Sequence, residues 1–395
     1  VLCGSSFLTG RYPYRLSATR ANLIPWSLPD GINITYTYLP KKLKEAGYIS
    51  HHVGKWHNGF YKYDMTPPGR GFDTSFGFLV GGEDHFTSIT GNCNGFQGGN
   101  IVDLSYGFAH NRSVFPSNLN GTYTGVLFSN RARDVVNQHP SSSPLFLYMA
   151  LHNTHGPYEA PADYVGLYNF PIDRENHLYG QVTFVDQTVK NITDALKSTG
   201  LWENTLFVWM TDNGSPPSGA GSNYPLRGGK GSLWDGGYRV PGFINGGLVA
   251  QSMRGKTLMD PIHVSDWWPT FASMAGLTTT DEFGPAPVDG IDQSAYIMGI
   301  NTNGSRSEMV LDHLMHCVPM TSQCVNGQTP DFPGNHYPNH TTGVLFQKQG
   351  EHMWKLIVGP AQQATWYGEF SPNTSAKVDY QAFVACWPKP CLFDV

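Results

Sequence analysis

The sequence predicts an α/β fold, and three observations carry that expectation. Short apolar runs end in polar clusters, amphipathic helical stretches separate them, and Gly and Pro crowd the connections. A first helix is expected over 39–46, stopped by Gly47, with a short strand over 48–53 that ends on Gly54-Lys55-Trp56-His57. A Gly-rich stretch follows from about 67 to 120, then a helix over 122–138. The run 145–151 reads as a buried strand ending on His152-Asn153-Thr154-His155. Val182, Val185, Val189, Ile192 and Leu196 recur at spacings of three or four, which predicts a helix over 177–198 closed by Gly200. The strand 205–210 then ends on Thr211-Asp212-Asn213-Gly214. Past Gly290 the pattern loosens into Pro-, Asn- and Thr-rich loops with strand-like runs at 343–347 and 352–358, so a smaller α+β domain is expected over 301–395.

Composition narrows the function. The chain has 395 residues, 45 Gly, 28 Pro, 40% hydrophobic and only 14% charged residues, with 22 Phe, 20 Tyr and 10 Trp for burial. Such a chain can build a large core, which excludes disorder and coiled coil. The net charge is −5 and the densest basic run is Lys41-Lys42-Leu43-Lys44, which argues against nucleic acid as a partner. The longest apolar stretch, 144–151, falls far short of a membrane span.

Six cysteines and seven of the eight Asn-x-Ser/Thr matches (Asn33, Asn111, Asn120, Asn191, Asn303, Asn339, Asn373) suggest the secretory route, the eighth, Asn213-Gly214-Ser215, being read as catalytic instead. Cys317/Cys324 and Cys386/Cys391 are each spaced to close a short loop, with connectivity left open, and Cys93 has no obvious partner. The chain begins at Val1 without a targeting segment ahead of it, which reads as an internal fragment.

Chemistry concentrates at the strand ends, where α/β active sites form. Asp212-Asn213 offers a carboxylate and an amide carbonyl, hard oxygen ligands for calcium or magnesium, although Asp-Asn-Gly is also ordinary turn chemistry. The glycine-dense segment 226–241 can close around a small anion, with Lys230 pointing a charge into it. Lys55 and His57, two residues apart, are expected on one side of an extended chain. His155, ahead of Gly156-Pro157, is suited to proton transfer near neutral pH. A cluster of Lys, His and metal ligands suggests an anionic ester as substrate.

These stretches, together with Leu8-Thr9-Gly10-Arg11-Tyr12, Gly71-Phe72-Asp73, Trp354-Lys355-Leu356 and Leu392-Phe393-Asp394-Val395, resemble the sulfatase family along the whole chain, several of them closest to its arylsulfatase B (N-acetylgalactosamine-4-sulfatase) type. The resemblance implies an alkaline phosphatase/sulfatase-like mixed sheet flanked by helices, a catalytic domain over 1–300 lacking its first strand, and an incomplete C-terminal domain, both chain ends being truncated. It implies calcium held by Asp212 and Asn213, and sulfate oxygens held by Lys55 and Lys230. Cys3 stands in the place of the nucleophile, a cysteine converted to formylglycine by a formylglycine-generating enzyme. His155 would protonate the departing alcohol and His57 would take the remaining hydroxyl proton. The implied substrates are a sulfated carbohydrate or an aryl sulfate ester, and the implied setting is lysosomal or extracellular.

The sequence also departs from the family. The Pro-Ser-Arg triplet that follows the nucleophile and guides its conversion is missing after Cys3-Gly4, a deletion that turns a helix by about 60° and shortens it by about 4.5 Å. An alternative alignment places the nucleophile just before Val1. The paired aspartates of the family's first strand are also absent, which removes half of the expected carboxylate shell of calcium. A second reading is therefore a catalytically silent relative that binds sulfated glycans through Lys55, Lys230 and His155. A third, a phosphatase or phosphodiesterase of the related alkaline phosphatase superfamily, calls for Ser or Thr where Cys3 stands.

Overall fold

A computed structural model describes residues 3–16, 29–90, 101–108, 111–114, 121–216, 219–314, 342–350, 352–361 and 384–395. The principal helices are α1 (Cys3–Thr9), α2 (Leu39–Leu43), α3 (Thr124–Gln138), α4 (Asp173–Ser198) and α5 (Trp267–Met274). The principal strands are β1 (Ile49–Lys55), β2 (Thr74–Phe78), β3 (Ser105–Phe108), β4 (Asn111–Val114), β5 (Leu145–Ala150), β6 (Phe207–Met210), β7 (Gly242–Asn245), β8 (Glu308–Leu314), β9 (Thr342–Gln349), β10 (His352–Ala361) and β11 (Val384–Asp394).

Five strands form a mixed sheet in the order β4-β3-β2-β1-β5. β1 pairs in parallel with β2 (His51 opposite Thr74) and with β5 (Ile49 opposite Leu145), while β3 runs antiparallel to β2. β6 and β7 form a separate antiparallel pair, and β8 to β11 form an antiparallel sheet in chain order. The helix expected from 39 stops at Gly47, whose φ of 79° permits the left-handed cap that other residues resist.

Helices cover both faces of the mixed sheet. On one face Leu8, Leu39, Leu43, Phe72 and Trp268 make a core that joins α1, α2 and α5. On the other, Val53, Phe76 and Phe78 pack on Phe128 of α3, and Ala132, Val136, Ile192 and Leu196 link α3 to α4 beneath β5. A layered fold of this kind follows from strands that are apolar on both sides. β5 and β6 depart from that rule: both are apolar, yet every residue of each is only half-buried. Among the described residues each has a ladder partner on one edge alone, and its side chains are correspondingly only partly enclosed.

The Thr-Gly-Arg segment is structural. Arg11 is fully buried; it donates to the carbonyls of Thr9 and Ala286 at 2.8 Å and to Asp281 at 2.9 Å. Arg306 makes a second buried pair with Asp266 and donates to the Tyr12 hydroxyl at 2.7 Å. Cys386 and Cys391 are disulfide-bonded within β11, whereas Cys93, Cys317 and Cys324 lie outside the described residues. Asn33 and Asn303 are exposed, but Asn191 is half-buried on α4 and bonds Ser129 at 3.4 Å; Asn120, Asn339 and Asn373 lie outside the described residues. Among the described residues no helix is long and apolar enough to cross a membrane.

Two outcomes follow. Arg11→Ala leaves the Asp281 charge, whose side chain is 2% exposed, with backbone donors alone, and is expected to lower stability by about 3–5 kcal/mol in urea melts, with Arg11→Met/Asp281→Asn recovering part of the loss. Burial lowers the buried imidazoles His52 and His263 to about 4. Between pH 6.5 and about 4 the unfolded chain therefore binds protons that the folded chain refuses. Stability present above pH 6.5 should fall as the solution is acidified through that window, by about 3 kcal/mol per group at pH 4, seen as a falling urea midpoint.

Candidate active site

The parallel strands deliver their carboxyl ends to one cleft, lined by Cys3, Lys55, His57, His152, His155, Asp212, Asn213 and Lys230. Lys55 is the last residue of β1. Beyond it the chain does not stay extended: His57 has a φ of 50°, so it reaches the cleft by a left-handed turn and not from the same side of a strand. The turn is held by Trp56, whose ring nitrogen donates to the carbonyls of Gly59 (3.0 Å) and Met65 (2.9 Å), and by His57 N donating to Leu79 O at 3.1 Å.

Two adjacent glycines back the histidines. A Cβ at Gly81 would lie 2.8 Å from His57 Cε1, and one at Gly82 would lie 3.0 Å from His155 Cε1. The Asp103 carboxylate fixes the strand end before them by accepting from the backbone of Leu79 and Val80 at 2.9–3.1 Å. Sequence reading passed over Gly81, Gly82 and Asp103, because two glycines in a Gly-rich stretch carry no periodic signal. It also passed over His85, whose buried ring stacks on His152 at 4.0 Å and whose Nε2 bonds the His155 carbonyl at 3.1 Å.

On the far side, Asp212 and Asn213 follow β6 and Lys230 sits in the glycine-dense loop. Asn223 ties that loop: its side chain accepts from Ser215 N at 2.8 Å and donates to Ser215 O and Gly228 O at 2.8 and 3.0 Å. Lys230 N donates to Ser215 O at 3.1 Å. Asp235, at the loop's end, takes a hydrogen bond from Lys355 of β10 at 2.6 Å, and Arg227 stacks over Trp234 at 4.1 Å.

The charges act on one another. Burial lowers Lys55 to about 8, with Asp212 pulling upward and Lys230 pushing further down. His155 falls to about 4, chiefly from burial and then from Lys230 and Lys55. Its Nδ1 bonds the Gly156 carbonyl at 2.7 Å, which makes Nδ1 the protonated nitrogen and turns Nε2 outward as an acceptor. Cys3 opens α1 at the same cleft, and burial, with Asp212 adding, pushes its thiol up to about 12. The missing triplet therefore has not moved Cys3 away from the other site residues.

For a cation, the donor chemistry fits in kind. Asn213 Oδ1 is buried without a hydrogen-bond partner, while its amide nitrogen donates to Gly214 O at 2.9 Å, so a hard oxygen is left uncommitted on the residue next to Asp212. Among the described residues no group of three or more His, Cys, Asp or Glu side chains is arranged to hold a metal. The Asn213 carbonyl and the Asp212 carboxylate would supply only part of a coordination shell.

A family model described as Sulfatase matches residues 4–277. Among curated proteins, mouse (Mus musculus) arylsulfatase J is 32% identical over 375 residues, 93% of this chain and 59% of that protein. Mouse N-acetylgalactosamine-6-sulfatase is 31% identical over 317 residues, 74% of this chain and 56% of that protein. The chain thus spans under three fifths of the length of these relatives. Two solved structures share the fold: PsFucS1 sulfatase from Pseudoalteromonas sp. (TM-score 0.71, 19% identity, 99% of this chain and 72% of that one) and Ps i-CgsB in complex with k-i-k-neocarrahexaose (TM-score 0.68, 24% identity, 89% and 72%). With a family model over more than half its length and relatives that match in order along it, this chain belongs to the sulfatase family.

Proposed function

We propose that the chain carries the active site of a hydrolase for sulfate esters on a sulfated carbohydrate, of arylsulfatase B-like type, working through formylglycine at Cys3 and calcium at Asp212 and Asn213. The observation that carries this reading is the meeting of Lys55, Lys230, His57 and His155 with Cys3 and Asp212 around one cleft. Burial first and the neighbouring Lys230 ammonium second disfavour charge on Lys55, and a bound sulfate would offset both. Lys55 and Lys230 would grip sulfate oxygens. Calcium, when bound, would add positive charge there, and formylglycine would supply a hydrated aldehyde that leaves sulfur by carbon–oxygen cleavage.

With Nδ1 committed to Gly156 O, His155 would take up a proton at Nε2 once a bound sulfate offsets the neighbouring lysine charges, and would pass that proton to the alcohol oxygen as it departs. His57 would accept the proton of the second hydroxyl at Cys3, on the opposite flank of the Gly81-Gly82 turn. Such roles suit an acidic compartment, and exposed Asn33 and Asn303 support passage through the secretory route to lysosome or exterior. We place the division between catalytic and terminal domains near residue 300, where the antiparallel sheet begins at Glu308.

The test is hydrolysis of an aryl sulfate, with mass analysis of the Cys3 peptide. Turnover with an aldehyde at Cys3, and at least about 100-fold loss in Lys230→Met, supports the reading. Binding of sulfated glycan without turnover, with an intact thiol at Cys3, favours the silent relative. The pH profile gives a second outcome. Lys55 carries its charge below about pH 8, so kcat/KM should fall as pH rises through that value, and Lys55→Arg should move this alkaline limb upward.

A further inference from the structure

His155 is carried by the connection 151–160, which contains no helix or strand, so its shape rests on hydrogen bonds from outside. Its alternate carbonyls at His155, Pro157 and Glu159 accept from side chains far away in sequence. His85 Nε2 donates to the first at 3.1 Å, and Gln181 Nε2 of α4 donates to the other two at 3.3 and 2.9 Å. The Tyr123 hydroxyl adds a second bond to Glu159 O at 3.0 Å.

His85 is itself fixed on every side. Its backbone N donates to the Glu159 carboxylate at 3.0 Å, and its carbonyl accepts from Thr124 N, at the start of α3, at 2.7 Å. Its ring, wholly buried, stacks on Tyr123 (5.4 Å, 15°) and on His152 (4.0 Å, 15°), and His152 in turn stacks on His155 (5.6 Å, 28°). Burial lowers the pKa of His85, so the imidazole is neutral and carries a single N–H. The bond to His155 O calls that proton to Nε2. Gln181 Nε2 lies 3.4 Å from the same nitrogen but spends its protons on Pro157 O and Glu159 O, so it does not require His85 Nε2 as an acceptor.

The carbonyl that His85 holds and the Gly156 carbonyl that orients the His155 ring belong to consecutive peptide groups. Gly156 has no side chain to restrict the backbone between them, so an outside hold on the first limits where the second can go. We propose that His85 is a positioning residue: by holding the His155 carbonyl it keeps the His155 ring on Gly156 O with Nε2 free for the proton, and so governs cleavage of esters whose alcohols must be protonated as they leave. His85 does not line the cleft and acts only through its neighbour. Its part in turnover rests on the sulfate-ester reading; its hold on His155 does not.

The experiment has two arms. In protein labelled with ¹⁵N-histidine, ring nitrogen NMR should show His85 protonated at Nε2 and His155 at Nδ1. His85→Phe keeps a ring in the stack without a donor and should give His155 mixed tautomers, and His85→Gln, whose amide can donate, should restore the single one. A wild-type His85 protonated at Nδ1, or an unchanged His155 in folded His85→Phe, would overturn the proposal; if His85→Phe does not fold, the wild-type tautomers and His85→Gln decide. In turnover, His85→Phe should lose about 100-fold in kcat on a sulfated sugar but less than about threefold on the sulfate of an acidic phenol, which departs without a proton. Equal losses on both esters, or no recovery in His85→Gln, would assign His85 a merely structural role. If the wild type hydrolyses neither ester, the sulfate reading fails and the tautomers still decide whether His85 holds His155.

Discussion

Parallel pairing of β1 with its neighbours is the constraint on which the cleft depends. A parallel ladder sends every carboxyl end to the same edge of the sheet, and the connections must then return across the faces as helices. Lys55 and His155 are therefore delivered to one place by backbone hydrogen bonding, before any side chain contributes. The β6 carboxyl end joins them from a separate pair of strands, held beneath by α4, and brings Asp212 within reach of Lys55.

Crowding then turns geometry into chemistry. Desolvation and the repulsion of neighbouring cations oppose charge on both Lys55 and His155, and an anion bound beside them would relieve each group. The supporting residues are short or buried: Gly81 and Gly82 leave room for two imidazoles, and Asn223 cross-links the glycine-dense loop that presents Lys230. Glu83, buried nearby and pushed up to about 10 by desolvation and by its acidic neighbours, adds no charge of its own at neutral pH.

Much of this was legible in the sequence, for identifiable reasons. The 3.6-residue period of α4 and the glycine stop after α2 are local signals, and the helices stand where they point, with α4 beginning four residues sooner, at Asp173 in place of His177. The polar clusters at strand ends pointed to Lys55, His57, His155, Asp212, Asn213 and Lys230, which the fold gathers. What stayed hidden depends on partners distant in sequence. The half-burial of β5 and β6 follows from which strands pair with them among the described residues, not from Leu, Phe and Trp. The route to His57 depends on a backbone φ that no composition reveals. Arg11 reads as part of a motif near the nucleophile, but its partner Asp281 lies 270 positions away.

The contact between Lys355 and Asp235 ties a strand of the terminal sheet to the loop that presents Lys230. Trp234, next to that aspartate, packs edge-on against Phe393, so the final strand shares the same anchorage. The described strands of the terminal sheet are thus a brace for the glycine-dense loop as much as a separate module. Trimming the protein back to its family-matched segment would leave that loop without its buttress, and a minimal version designed by sequence similarity alone would omit a part that the segment around Lys230 leans on.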